Sequence, residues 1–103
     1  MRRFDTIFEN LLVSRVTIDF PNILANSTVT IDTAVTGVAL GTHLISWTPV
    51  SVATSMDDLI FQFLIVDTNL VRTIIQNPTG GGIDPASIDW EFLSGTIRAV
   101  IDP

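Results

Sequence analysis

Apolar and polar residues alternate with period two along most of this chain, and the longest apolar run, Leu59 to Val66, departs from that rule because only Gln62 is polar within it. Such a run reads as a strand that is buried on both faces, or buried on one and covered by a partner on the other. Asp67-Thr68-Asn69 supplies turn chemistry, since Asp and Asn accept left-handed backbone and bond their own main chain. Leu70 to Gln76 then returns as an antiparallel partner, so residues 59–76 predict a hairpin around which the rest is arranged.

The flanking segments carry weaker forms of the same signal. Val16, Ile18 and Phe20 alternate with Arg15, Thr17 and Asp19, and Val29, Ile31 and Thr33 alternate with Thr28, Thr30 and Asp32. Both read as half-buried strands. Thr36-Gly37 and Gly41-Thr42 bracket a tight loop that could wind into one helical turn. His43 to Val52 reads as a strand in which Pro49, lacking an N–H, predicts an edge or a bend. Asn77-Pro78-Thr79-Gly80-Gly81-Gly82 reads as flexible, and Asp84-Pro85-Ala86-Ser87 as a type I turn. A last strand or a bent pair runs from Asp89 through Trp90 and Phe92 to Ile101, with a bulge or kink at Gly95.

Residues 1–13 follow a different period. Phe4, Ile7, Phe8, Leu11 and Leu12 recur at the spacing of one helical face, predicting a short helix or an arm. The expected fold is therefore all-β, an antiparallel β-sandwich or barrel-like domain of about six to eight short strands over residues 14–103, preceded by a short N-terminal helix or arm over 1–13.

Composition narrows the functional classes. The chain has 103 residues, one domain's worth, and 47% are hydrophobic. A domain this small buries only about 60 to 65% of its unfolded surface, so an apolar surplus points to subunit interfaces. No run of 18 apolar residues exists, which argues against a membrane span. A net charge of −6 and five scattered arginines, with no lysine, argue against nucleic acid as a partner. The absence of lysine and cysteine also removes Schiff-base and thiol chemistry. Met1-Arg2-Arg3 leads into a mixed stretch with Asp5 and Glu9, unlike a signal peptide, so cytosolic synthesis is expected.

The candidate sites each have a plain structural explanation. His43 is the only histidine and has no acid or hydroxyl at a catalytic spacing. Asp57, Asp58, Asp84, Asp89 and Glu91 could hold calcium, but the Asp-x-Asp-x-Asp-Gly loop is absent, so no metal and no cofactor is expected. Asn26-Ser27-Thr28 fits a glycosylation acceptor and equally a turn entering a strand. Gly80-Gly81-Gly82 has no following lysine or helix, so it is a hinge or a tight passage and not a phosphate loop. Trp47 and Trp90 are core residues or interface anchors.

Three segments in order carry a family resemblance. They are Ile23-Leu24-Ala25-Asn26-Ser27-Thr28-Val29-Thr30-Ile31, then Thr36-Gly37-Val38-Ala39-Leu40-Gly41-Thr42, then Asn69 to Gly80 followed by Ile83-Asp84-Pro85-Ala86-Ser87. Together they cover about residues 15 to 100 and resemble small virion-associated β domains of tailed bacteriophages. Thr42 stands where an acidic residue is common in that family, and residues 1–13 look like an individual addition. The resemblance implies a non-enzymatic capsid decoration (cement) protein, on the exterior of a virion assembled in the host cytoplasm. Its expected partners are its own copies, as a trimer, and the major capsid protein. In that picture Arg2, Arg3, Phe4, Ile7, Phe8 and Leu11 dock on the shell or on a neighbouring subunit. The alternative is a tail-fibre or adhesin-type module binding a receptor or glycan, which requires an exposed Trp47 or Trp90 beside carboxylates.

Overall fold

The alternation becomes an inward and an outward side for each strand. The computed structural model describes residues 8–51 and 56–97. They form β1 (Phe8–Ile18), β2 (Ser27–Ala34), β3 (His43–Pro49), β4 (Ile60–Asp67), β5 (Leu70–Asn77) and β6 (Ile88–Ile97), with one 3₁₀ turn at Met56–Asp58. Two three-stranded sheets result, ordered β1-β6-β3 and β2-β5-β4. Every strand pairing is antiparallel. The expected antiparallel β-sandwich is the fold, and the predicted 59–76 hairpin is β4 and β5. Pro49 closes β3, an edge strand, as its missing N–H requires.

The core lies between the sheets. Trp90 and Phe92 of β6 face Phe63 of β4, with ring centroids 5.0 and 5.2 Å from that of Phe63. Val71 and Ile75 of β5 are fully buried beside them, and Ile18, Phe20, Ile23, Val35 and Val38 complete the layer. Each such side chain contributes about 1.5 to 3 kcal/mol by leaving water.

Residues 8–13 correct the helical expectation: they are strand, paired along β6 from Phe8 opposite Ile97 to Val13 opposite Leu93. Between Glu9 and Leu12 the register slips, so that Asn10, with φ of 55°, and Leu11 together oppose Gly95. One extra residue reverses the alternation, and this puts apolar residues at the spacing that mimics a helical face. A ladder to β6 satisfies these backbone groups, which a helix of this length could not hold by itself in water. The boundary expected at residue 13 therefore falls inside β1, and residues 1–7 lie outside the described part.

Two asparagines fasten the ends of the sandwich. At one end, the buried Asn77 donates from Nδ2 to the carbonyls of Ile23 and Gly81, both at 2.9 Å, and its Oδ1 accepts from Thr79 N at 3.0 Å and Thr79 Oγ1 at 2.7 Å. The segment expected to be flexible is thus tied to the β1–β2 connection, where Ile23 and Ile83 also exchange main-chain bonds. Gly82 is a tight passage, because a Cβ there would lie 3.2 Å from Asn22 Oδ1. At the other end, Asn69, with φ of 58°, donates its N–H to Val38 O, accepts from Val35 N and takes Gly37 N on its side chain at 2.8 Å. The 36–42 loop held this way contains turns and no helical turn. The turn expected over Asp84 to Ser87 is absent: the segment runs without a turn from the Ile83 bridge with Ile23 into β6.

Candidate binding surfaces

The bulge in β1 meets a second one in β3, between Leu44 and Ser46, across the same stretch of β6. A bulge or kink was expected at Gly95; the extra residues lie instead in the two neighbours of β6, which bulge beside it. The reason is contact: a Cβ at position 95 would lie 2.9 Å from Leu11 Cδ2 and 3.3 Å from both Ile45 Cδ1 and the Glu9 carbonyl oxygen. Only glycine lets Leu11 and Ile45 lie against the strand backbone. Phe8 stands beside them with its ring edge-on to His43, centroids 6.4 Å apart.

The result is an apolar patch on the outer face of the β1-β6-β3 sheet, built of Phe8, Leu11, Val13, Ile45 and Leu93. Leu11 is 44% exposed and Val13 63%. Of the six residues assigned to partner contact, Phe8 and Leu11 come together here; Arg2, Arg3, Phe4 and Ile7 lie outside the described residues. Val13 and Leu93 share this face as a direct cross-strand pair and Ile45 joins them through the β3 bulge, pairings that only the sheet register reveals.

A second feature is an open cleft of about 410 Å³ at the flank between the β3 and β4 edges, lined by Trp47, Pro49, Met56, Asp57, Phe61 and Trp90. Trp47 leans over this flank with its ring centroid 5.4 Å from that of Phe63 and keeps 38% of its surface exposed. Trp90 is 2% exposed, and its indole N–H is buried without a hydrogen-bond partner. Leaving such a donor unpaired costs about 1 to 3 kcal/mol. Asp57 is exposed at the rim and supplies the one carboxylate of the lining.

The remaining candidates are dispersed. His43 is exposed, and among the described residues no three His, Asp or Glu side chains gather as metal ligands. Asp89 accepts the Thr17 hydroxyl, and Glu91 lies 3.3 Å from Arg15. The two ions with shifted equilibria form one exposed pair on the other sheet. Arg72 Nε donates to Asp32 Oδ1 at 2.8 Å, which lowers the Asp32 pKa and raises that of Arg72. Asn26, with φ of 54°, sits in the turn entering β2, as the turn reading required.

No helix among the described residues is long and apolar enough to cross a membrane. No family model, curated protein or solved structure matches this chain.

Proposed function

We propose that this chain is a non-enzymatic structural protein of a tailed-phage virion, a capsid decoration protein that braces the head through contacts with the major capsid protein. The observation that carries this reading is the outward patch of Phe8, Leu11, Val13, Ile45 and Leu93, a sheet face whose exposed leucine and valine offer apolar area to a partner. Phe8 and Leu11 are the described members of the docking set implied by the phage resemblance. The test is co-sedimentation of the purified chain with capsids lacking it. Leu11→Asp and Val13→Asp place charge on the outer face while leaving the inward side of β1 intact, and each should cut retention at least tenfold. Undiminished retention of both variants would refute the assignment.

A second reading, a glycan-binding module, is favoured by the flank cleft, where the exposed Trp47 ring stands near Asp57. A sugar face would stack on Trp47 while a hydroxyl bonds the carboxylate. Trp90 contributes only the floor. A glycan array free of hits, or hits unchanged by Trp47→Ala, would remove this reading.

A further inference from the structure

The four edge strands of the sandwich are not equally protected. β1 carries Glu9, Arg15 and a bulge, β2 carries Asp32 with its Arg72 partner, and β3 carries Pro49 and a bulge. These are the usual means of stopping one sheet edge from pairing with another. β4 has none of them over residues 60–65. Residues 60–66 contain no charge, proline or glycine, and β4's register slip and only charged residue come at its end, near Asp67. Among the described residues β4 pairs with β5 alone.

We propose that β4 is a self-association edge, at which a second copy of this chain adds its own β4 antiparallel about a two-fold axis near Phe63. Self-complementarity selects the second copy as occupant. With Phe63 at the centre, Ile60 faces Val66 and Gln62 faces Leu64 of the other copy, so no like charges meet although each chain carries −6. On the outer face Ile60 and Leu64 of each copy flank the uncharged Gln62, so the two rows meet without charge, and Ile60 alone is 53% exposed. Trp47, leaning over the same flank, is covered along with it.

The area suffices for a weak, specific contact. Eight residues span about 27 Å, and two layers about 10 Å apart make a flank on the order of 20 Å deep. That is roughly 500 Å² per partner and about 1,000 Å² in total, the lower limit for a specific interface. The pairing does not depend on the virion reading, and its two-fold symmetry replaces the trimer expected from the phage resemblance.

The test is sedimentation velocity of the full chain from about 1 µM to about 1 mM, with hydrogen exchange read at both limits. The expected result is a mass rising from 11.2 kDa toward twice that value, with added protection in β4 and none in β2. Leu64→Glu should remain at the mass of one chain. It stays foldable because Leu64 faces outward opposite Arg72. Thr30→Glu, on the outer face of β2, should associate as the parent does. A single-chain mass throughout, a trimer, or Leu64→Glu associating like the parent would each overturn the proposal. Should Leu64→Glu prove unfolded by circular dichroism, exchange in the parent decides alone, and β4 protection independent of concentration refutes the pairing. None of these outcomes bears on capsid retention, which the Leu11 and Val13 variants report.

Discussion

Asn77→Ala tests whether one buried amide fastens one end of the sandwich. Asn77 is 1% exposed, and all four of its strong hydrogen-bonding directions are used, two to carbonyl oxygens and two from Thr79. A net bond is worth about 0.5 to 1.5 kcal/mol, so removing four predicts a loss of roughly 2 to 6 kcal/mol. The alternatives left to the partners narrow that range. The Ile23 carbonyl keeps Ile83 N–H at 2.9 Å, and the Thr79 hydroxyl, whose single hydrogen is shared between Asn77 Oδ1 and the Gly81 carbonyl 2.9 Å away, turns wholly to Gly81, so Thr79 N–H is the group left without its acceptor. The expected cost is about 3 kcal/mol, a fall in Tm of roughly 12 to 20 °C for a domain of this size. Urea unfolding followed by tryptophan emission and calorimetry measures it. Asn77→Asp adds a signature of pH. It replaces the Nδ2 donor with an oxygen facing two carbonyl oxygens, so in the folded protein the ionised form is disfavoured and the pKa rises above the unfolded value of about 3.9. Stability of this variant is then greatest below the unfolded pKa and falls as pH rises to the folded one, so it should lie nearer the parent at pH 4 than at pH 7. An Asn77→Ala loss under about 1 kcal/mol, or an Asn77→Asp deficit independent of pH, would refute the reasoning.

Three further outcomes follow from the same geometry. Thr73 is fully buried and its hydroxyl has no partner, so Thr73→Val should raise stability by about 1 kcal/mol, read as a higher urea midpoint. Gly37 has φ of 99°, and a Cβ there would overlap Leu12 Cδ2, so Gly37→Ala should lower Tm, with a cost of about 1 to 3 kcal/mol for strain and overlap together. Asp32 has a lowered pKa through its bond to Arg72, so the pair stabilises the fold above the unfolded carboxyl pKa and ceases to do so as pH falls through the lowered one. Arg72→Gln should accordingly sit below the parent in Tm at pH 7 and converge with it toward pH 2, and added salt should shrink the gap at neutral pH.

The strands were legible because a half-buried sheet writes its two faces into alternate residues. Val16, Ile18 and Phe20 point inward as read, and Pro49 marked its strand as an edge. β1 was misread at its start for a local reason: the extra residue opposite Gly95 shifts apolar positions onto a helical spacing. The fastening by Asn77 was hidden behind Pro78 and three glycines, which look loose. The signal that was available is the Asn-Pro-Thr order, in which an Asx side chain takes the N–H two residues ahead. The cleft could not be read at all. Trp47, Met56 and Trp90 are far apart in the chain, and only the sheet order places β3 and β4 on one flank.

That sheet order also decides how the molecule comes apart. Of the connections between successive strands, only the one joining β4 to β5 stays within a sheet; every other link passes from one layer to the other. The layers are stitched along the chain, so neither can peel away intact while its partner persists. Unfolding under heat, denaturant or pulling force should therefore be a single all-or-none event with coincident transitions by every probe. Refolding should be slow, in milliseconds to seconds, because the β4–β5 hairpin is the one piece that can form before distant strands have found each other. A domain built this way fails late and abruptly.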